Sequence, residues 1–451
     1  MWRENTSLSP PNDLYGIDHM TDSITPTPET ENKSTTYRIY PGRVGKSRML
    51  ARLCGAGHWT WNEILSRYMA LYESAKKSGG KLPSCSAFSL YNQFTLLRSE
   101  TPWLQELPSH IVRYILKYQA DAWSRFFKSV KQGKKGGPPK FKKWGSYNES
   151  FTIPENVKIK NGRLFIPGTW KCPIGWMKLH GNNPYPFGIP KKATVKRVAG
   201  KWYAVVCYEV PYVEREDSGL VIGLDRNVGQ VATSDGFVHR GPDTKRLGRR
   251  KRRYQRKMAR QREAAKLRRK NGTQPVGVHP KHVSNRYLGA KLKVAKISRK
   301  IANKRKNWQH QTSNLLRKDT IAIEKLNVRG MTGSAKGTVK KPGKNVRQKA
   351  GLNRGILNTG WTDLKMMLDY KCPRIIEVNP AYTSQTCYEC RTIDKRSRLT
   401  QSKFLCVECG YQANADINAA LNIRRLGMAQ LGREDEPSGF LRTVKLTELI
   451  A

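Results

Sequence analysis

Two Cys-x-x-Cys pairs near the carboxyl end constrain the fold of this chain more than any other feature. Cys387 and Cys390 form the first pair, and Cys406 and Cys409 form the second after a gap of fifteen residues. Four thiolates at this spacing suit the tetrahedral shell of a closed, structural zinc site. A single pair would also suit a redox dithiol, but two pairs in succession favour zinc. We therefore predict a ribbon that holds one structural Zn²⁺ ion.

The charge of the chain points to a polyanionic partner. There are 84 Lys and Arg residues against 34 Asp and Glu, a formal net charge of +50. Such a chain repels itself unless a polyanion neutralises it, and nucleic acid is the leading candidate. A membrane role is disfavoured because the sequence has no run of 18 apolar residues and the first residues lack the pattern of a signal peptide. We expect a cytoplasmic protein.

Apolar patterning divides the first half of the chain. Residues 1–36 are rich in Thr, Ser, Pro and Asn and predict a disordered leader. Period-two alternation in 146–212 predicts a β-rich unit, with a barrel as one form, and a short strand is predicted at the start of 37–50. Helical periodicity in 51–145 predicts a helical insert between the two. A chain of 451 residues that is 38% hydrophobic is long enough for two or three such domains.

The second half follows an α/β pattern. Residues 218–371 open with an apolar strand that ends on Asp225, and a later strand ends on Glu324. A final strand and the ribbon occupy 372–411, and a helix over 412–431 carries Asp416. No role is assigned to the tail after residue 431.

Three acids therefore stand where a central sheet and a flanking helix can bring them together. Each has an ordinary alternative: Asp225 as a turn residue, Glu324 as a solvated strand end, and Asp416 as a first-turn acid favoured by the helix dipole. Converging carboxylates repel each other, so they persist mainly where a divalent cation neutralises them. Two Mg²⁺ ions held in this way suit phosphodiester hydrolysis. We predict these acids as the catalytic, magnesium-binding set.

A very basic helical segment separates the first two acids. Residues 246–270 contain fourteen Lys or Arg and one acid, yet the apolar residues keep helical spacing. With a second helix it predicts an antiparallel pair over 246–318, either solvated or lying against phosphates. We expect the phosphate-binding role for this pair and for the basic segment "KQGKKGGPPKFKKW". The predicted nucleic-acid-binding residues are Arg249, Arg250, Arg252, Arg253, Arg256, Lys257, Arg260, Lys140, Lys142 and Lys143.

The segments around these residues resemble a known family. "VIGLDRNVGQVATSDG", "NWQHQTSNLLRKDTIAIEKL", "GWTDLKMMLDYK", "VNPAYTSQTCYECR" and "CVECGYQANADINAALNI" are similar to successive signatures of TnpB, the transposon-associated RNA-guided nucleases related to compact type V CRISPR effectors. The resemblance spans about residues 37–431. It does not cover the leader or the tail.

The resemblance implies a fold and a function. The fold class is multidomain α/β plus β-barrel: a RuvC-like, RNase H-type nuclease domain with inserted basic helices and zinc ribbon, and an N-terminal wedge β-barrel, formed by 37–50 and 146–212, with a helical recognition lobe. The function is RNA-guided cleavage of double-stranded target DNA, with guide RNA as partner, in a prokaryotic cytoplasm near the nucleoid. Two alternatives stay open at this point, a nuclease-silent RNA-guided DNA binder and a transposase that uses the same acids. The oligomeric state is not predicted.

Overall fold

The computed structural model describes residues 29–42, 44–134, 136–142, 149–273, 284–339 and 341–433. The chain forms two compact units, one up to Tyr212 and one from Val213. None of the helices within these ranges has the length and apolar character that a bilayer-spanning helix needs.

The first unit combines helices with antiparallel strands. Its helices are α1 (Val44–Ser78), α2 (Ala87–Ser99), α3 (Pro102–Gln105), α4 (Ser109–Arg113) and α5 (Ile115–Lys131). Its strands are β1 (Thr30–Ile39), β2 (Glu149–Ile153), β3 (Ile159–Lys160), β4 (Arg163–Ile166), β5 (Gly175–His180), β6 (Ile189–Val198) and β7 (Lys201–Pro211).

These strands form one sheet in the order β2-β6-β7-β1-β5-β4-β3, and every neighbouring pair is antiparallel. Alternate residues of β7 are buried, which is the period-two pattern expected of a sheet with one face on a core. The core of the unit contains the large side chains Trp123, Tyr68 and Phe94 from its helices. Within the described residues the strand order ends at β2 and β3, so hydrogen bonding does not close this sheet into a barrel.

Two predicted boundaries in this unit are wrong. The leader was expected to extend to residue 36, but β1 begins at Thr30 and pairs with β7 from there. Its first residues are polar on both faces, so backbone hydrogen bonds to a strand distant in sequence hold them, and composition gives no signal of this. The expected barrel segment 37–50 also contains the start of α1, at Val44. Residues 1–28 lie outside the described part of the chain.

The second unit contains the predicted α/β pattern. Its strands are β8 (Val221–Asn227), β9 (Gln230–Thr233), β10 (Val238–Arg240), β11 (Thr320–Glu324), β12 (Ile375–Val378), β13 (Lys403–Leu405) and β14 (Gln412–Asn414). Its helices are α6 (Lys245–Lys270), α7 (Asn285–Leu315), α8 (Val328–Met331), α9 (Val346–Thr359), α10 (Trp361–Asp369) and α11 (Ala415–Gln430).

The central sheet of this unit has the order β10-β9-β8-β11-β12. The first three strands form an antiparallel meander, and β8, β11 and β12 are parallel. Ile321 and Ile323 in β11 are fully buried, as the apolar sequence of the strand predicts. The carboxyl ends of β8 and β11 therefore lie side by side.

Helix α11 packs unusually close to this sheet because two glycines leave room for it. A Cβ atom on Gly223 of β8 would lie 2.0 Å from the carbonyl oxygen of Ala420, and one on Gly427 would lie 2.5 Å from Cβ of Ala322. Any side chain at either position would push the helix away from the strands. The two glycines thus set the distance between the helix and the strands that carry the predicted acids.

Two details of the second unit differ from the predictions. Strand β8 continues through Asn227, so Asp225 lies within the strand and not at its end. The helix expected over 412–431 begins at Ala415, because residues 412–414 form β14 and pair with β13. A short polar strand followed directly by a helix has no sequence signal that separates them.

The basic helices α6 and α7 form the predicted antiparallel pair. The Arg262 guanidinium donates to the hydroxyl of Tyr287 at 2.7 Å, and the ammonium of Lys293 lies 5.3 Å from the ring centre of Tyr254. Helix α6 has no buried residue, whereas α7 buries residues that include Trp308 and Ile297. The second helix thus anchors the pair to the unit, and the first extends its cations into solvent.

Candidate active site and metal centre

Strands β8 and β11 position the first two acids. Leu224 pairs with Ile323 in the parallel register, so Asp225 and Glu324 are the next residues on adjacent strands. Asp225 is only 8% exposed, and its Oδ2 accepts a hydrogen bond from Asn227 Nδ2 at 2.6 Å. Glu324 Oε1 accepts one from Thr383 Oγ1 at 2.7 Å. Each carboxylate is thus held by its own neutral donor.

The third acid arrives from helix α11. Asn414 caps this helix, and its side chain accepts from the backbone N–H of Asp416 at 2.9 Å. Asp416 is 5% exposed. Its Oδ2 accepts from Gln230 Nε2 at 2.7 Å, and its Oδ1 lies 3.5 Å from Arg398 Nη2. A strand and the ribbon therefore both orient this carboxylate.

The three carboxylates are close enough to influence one another. Burial, followed by the negative charges of Glu324 and Asp416, raises the pKa of Asp225 to about 7. Burial also raises the pKa of Glu324, although the hydrogen bond from Thr383 and the charge of Arg226 oppose this. Like charges gathered in a buried place are unfavourable unless a cation joins them. The donor set of three carboxylates is the type that Mg²⁺ prefers.

The four ribbon cysteines form a compact cluster with free thiols. Their sulfur atoms all lie within 4.8 Å of one another, with Cys387 to Cys409 at 3.7 Å and Cys390 to Cys406 at 3.5 Å. A tetrahedral ion with zinc–sulfur bonds near 2.3 Å needs sulfur–sulfur distances of about 3.8 Å. Within the described ranges the ligand atoms of the three acids are not all this close to one another, so the acids are less tightly grouped than the thiols.

Two amides join the ribbon to helix α11. Asn418 donates to the carbonyl of Thr386 at 2.8 Å and accepts from the N–H of Tyr388 at 3.1 Å. Asn422 donates to the carbonyls of Thr383 and Thr386 at 3.1 and 2.7 Å. Both amides are almost fully buried. Because Thr383 also donates to Glu324, the ribbon contacts two of the three acids through hydrogen bonds.

Most predicted nucleic-acid-binding residues are on the surface. The seven cations chosen on α6, from Arg249 to Arg260, are all exposed. Lys140 is exposed and Lys142 is half-buried, and both belong to a segment that α1 holds through Trp61 and Asn62. Lys143 lies outside the described residues. These positions agree with a phosphate-binding surface, and their role stays a prediction.

The sequence predicted the acids but not the residues that hold them. Asn227, Gln230, Thr383 and Arg398 contact the carboxylates, yet each stands in an ordinary polar or turn-forming context. The paired asparagines of "NADINAALN" carried the one available signal. Asn418 and Asn422 are four residues apart on one helix face, where amides are uncommon unless they have buried partners.

Comparison with known proteins finds one family that matches part of the chain and solved structures that align with most of it. A family described as Cas12f1-like, TNB domain matches residues 361–423, which include the ribbon and the start of α11. Among solved structures, Cas12f1 in the cryo-EM complex with sgRNA and target DNA aligns over 84% of this chain and 82% of its own, with a TM-score of 0.47 and 16% identity.

Full-length relatives define the family. A protein of Escherichia coli (strain K12), named as the RNA-guided DNA endonuclease InsQ, is 34% identical over 410 residues, which is 88% of this chain and 92% of the relative. Another, named as an RNA-guided DNA endonuclease of Streptomyces pristinaespiralis, is 24% identical over 87% of this chain and 89% of its own. The chain belongs to the TnpB-like family of RNA-guided DNA endonucleases, as the sequence resemblance predicted.

Proposed function

We propose that this chain is an RNA-guided DNA endonuclease that hydrolyses the phosphodiester bond at Asp225, Glu324 and Asp416. The convergence of three carboxylates from β8, β11 and α11, with Asp225 and Asp416 buried and Glu324 half-buried, carries the proposal. The central sheet is an antiparallel meander of β10, β9 and β8, followed by β11 and β12, which run parallel to β8. This order, with one acid on β8 and one on β11, supports a RuvC-like, RNase H-type domain. The fold class predicted from the sequence is therefore retained for this unit.

The acids suit Mg²⁺ as cofactor. When bound between them, two Mg²⁺ ions would activate a water molecule and stabilise the leaving oxygen. The chain's own contribution is to keep the carboxylates aimed at one place. Asn227 and Thr383 each hold one carboxylate oxygen, and Gln230 holds one oxygen of Asp416. These three donors are neutral, so, unlike Arg398 beside Asp416, they orient the acids without offsetting the negative charge that attracts a cation.

The ribbon suits a structural Zn²⁺ ion. All four cysteines would be ligands, which leaves no open position for substrate. Through Asn418, Asn422 and Thr383 the closed ribbon would support both Asp416 and Glu324. A zinc ion held by the four cysteines would therefore affect catalysis only through the position of these acids.

Guide RNA and double-stranded target DNA are the proposed partners. The exposed cations of α6 would bind backbone phosphates, which carry no sequence information, while pairing with the guide supplies specificity. The first unit would serve as the wedge and recognition lobe. A cytoplasmic, nucleoid-associated location follows from DNA as substrate.

A plasmid assay tests the proposal. The protein is expressed with its own transposon-end RNA, and the purified ribonucleoprotein is incubated with a matched plasmid with and without Mg²⁺. Cleavage that needs both guide match and Mg²⁺ is expected. Asp225→Ala, Glu324→Ala or Asp416→Ala should each abolish cleavage and keep DNA binding within a few-fold.

Glu377→Gln is the matched control, because this acid lies on the neighbouring strand β12, is exposed, and pairs with Lys365 at 2.5 Å. It should cleave as the parent does. Binding without cleavage by the parent protein would identify a nuclease-silent DNA binder, and joined transposon ends would identify a transposase. Normal cleavage by an alanine variant would remove that acid from the site.

A further inference from the structure

A cavity in the first unit is independent of the three acids. It lies where α1, α5 and β2 meet and has a volume of about 400 Å³. Ligand pockets of proteins begin at roughly 300 Å³, so this space is large enough for a small organic group. Residues that line it come from all three elements and from the basic segment before β2.

Aromatic rings form much of the cavity wall. Trp61 and His58 come from α1, and Phe151 comes from β2. Tyr114 immediately precedes α5, and Tyr118 lies in its first turn. The two tyrosines make an edge-to-face pair with ring centres 5.5 Å apart. Tyr118 is 43% exposed, so part of its ring is accessible from outside. A cavity lined by aromatic rings, with the Tyr118 ring accessible from solvent, suits a planar group that stacks on that ring.

Hydrogen bonds to the backbone of residues 140–142 place the side chain of Lys142 in the same cavity. Asn62 donates to the carbonyl of Lys142 at 3.0 Å and accepts from its N–H at 2.7 Å. Trp61 donates to the carbonyl of Lys140 at 3.1 Å. This anchored backbone puts the Lys142 ammonium 4.1 Å from the centre of the Trp61 ring. Burial lowers the pKa of Lys142, and an anion beside it would favour the charged form.

The remaining polar groups make the cavity selective for a group with negative charge. Arg125 adds a second cation at the cavity wall, and none of the lining residues is acidic. Burial and the charge of Lys142 lower the pKa of His58 to about 4, so its imidazole is neutral at physiological pH. Tyr118 and Thr152 add hydroxyl groups 3.3 Å apart. Neutral hydrogen-bonding groups near stacked rings suit the edge of a nucleobase.

We propose that this cavity binds one unpaired nucleotide, with its base against the aromatic wall and its phosphate against Lys142 and Arg125. An apolar ligand would not need the two cations, and a duplex would not fit a space of about 400 Å³. The basic segment that supplies Lys142 also carries Lys131, Lys134 and Lys140, which are exposed and would give the flanking phosphates of a strand further partners. The nucleotide belongs to single-stranded RNA or to unpaired DNA.

The test isolates the contribution of the base from that of the phosphates. Binding of the full-length protein is measured for a thymidine DNA decamer and for the same decamer built from abasic spacers, at equal salt. Both probes carry the same charge, so the ratio of their dissociation constants reports base contacts. A base stacked on an aromatic side chain contributes roughly five- to 150-fold. Tyr118→Leu should reduce the ratio by at least about fivefold.

Trp170→Leu is the matched control, because this aromatic residue of the same unit is 85% exposed and lies outside the cavity. It should leave the ratio unchanged, and both variants should keep the parent melting temperature. Equal ratios in the parent and the Tyr118 variant would overturn the proposal.

Photocrosslinking of the parent protein gives a second measurement that needs no variant. Decamers of RNA and of DNA that carry one 5-iodo-pyrimidine are irradiated at raised salt, and adducts are mapped by mass spectrometry. An adduct on the peptide with Tyr114 and Tyr118 is expected, and the probe that gives it at the lower concentration identifies RNA or DNA as the source. Adducts confined to other peptides would refute the site. Neither measurement involves cleavage, so its outcome is separate from that of the nuclease proposal.

Discussion

Replacing Asp225 by asparagine should stabilise the metal-free protein while it abolishes the proposed metal site. Burial and two neighbouring acids raise the pKa of Asp225 to about 7. An acid whose pKa is higher in the folded chain than in the unfolded chain favours folding in its protonated form. This contribution is complete below the ordinary carboxyl pKa near 4 and is lost as the pH rises through 7. The amide of an asparagine side chain does not ionise in this pH range, so the Asp225→Asn variant does not lose stability in this way as the pH rises.

The size of the effect follows from the same values. A change in pKa from 3.8 to about 7 corresponds to about 4 kcal/mol of stability lost by the parent above pH 7. This is an upper value, because the chain relaxes and water enters around an ionised group. In a unit of this size one kcal/mol moves the melting temperature by roughly 2–4 °C. We expect Asp225→Asn to melt several degrees higher than the parent at pH 8.

The assay is thermal unfolding of the RNA-free protein in resin-treated buffer without magnesium. No chelator is added, since a chelator would also remove zinc from the ribbon. The gap between variant and parent should shrink as the pH falls from 8 toward 4. Adding Mg²⁺ at pH 8 should stabilise the parent and not the variant, because a ligand stabilises only a chain that binds it.

The control and the refuting result are both clear. Glu377→Gln also removes one negative charge, but from an exposed ion pair with Lys365, and should change stability by at most about 1 kcal/mol. In a chain of net charge +50, the loss of an acid is otherwise expected to destabilise slightly. If Asp225→Asn is no more stable than the parent at pH 8, then burial and the charges of Glu324 and Asp416 do not penalise the ionised form of Asp225, and the site is not formed as described.

Three further predictions concern other parts of the molecule. Elemental analysis should find one zinc per chain, and Cys390→Ser should release it and lower cleavage without abolishing guide-dependent DNA binding; protein prepared without chelator that contains no zinc would contradict this. Reversal of the four arginines at 249, 250, 252 and 253 to Glu should weaken binding equally for all guides and flatten its dependence on salt, whereas an unchanged salt slope would show that α6 is not a phosphate clamp. Gly223→Ala should destabilise the second unit by about 1–3 kcal/mol and reduce cleavage, because the new Cβ would clash with the carbonyl oxygen of Ala420. Gly229→Ala is the control: this glycine lies in the open turn after β8, so alanine there strains the backbone at a φ of +85° but meets no neighbouring atom.

The sequence indicated the position of a residue in the fold where a local pattern and a chemical demand coincided. Glu324 follows four buried residues of β11, and the cysteines have metal-ligand spacing, so their positions were predictable without knowledge of the fold. Asp225 was placed on a strand for the same reason, although β8 extends two residues beyond it. The roles of these residues stay predictions. The exposed cations of α6 followed from charge density alone.

The residues that orient the site were not predictable, because their partners are distant in sequence. Thr383 acts on Glu324 from 59 residues away, and Gln230 acts on Asp416 from 186 residues away. Strand β1 was partly missed for a related reason, since backbone hydrogen bonds to β7 define it more than its own side chains do. Long-range pairing of polar residues leaves no periodicity in the sequence.

The insertion of α6 and α7 between β10 and β11 determines the order in which the second unit can assemble. Ile222 pairs with Ile321, a partner 99 positions later, and the helix with the third acid begins at Ala415. Closing so long a loop carries an entropic cost before any strand pairing repays it, which slows folding. During synthesis the chain therefore exposes the cationic surface of the helices well before Asp225, Glu324 and Asp416 can meet. If these helices bind phosphates as proposed, we expect a nascent chain to bind RNA before it is able to cut DNA.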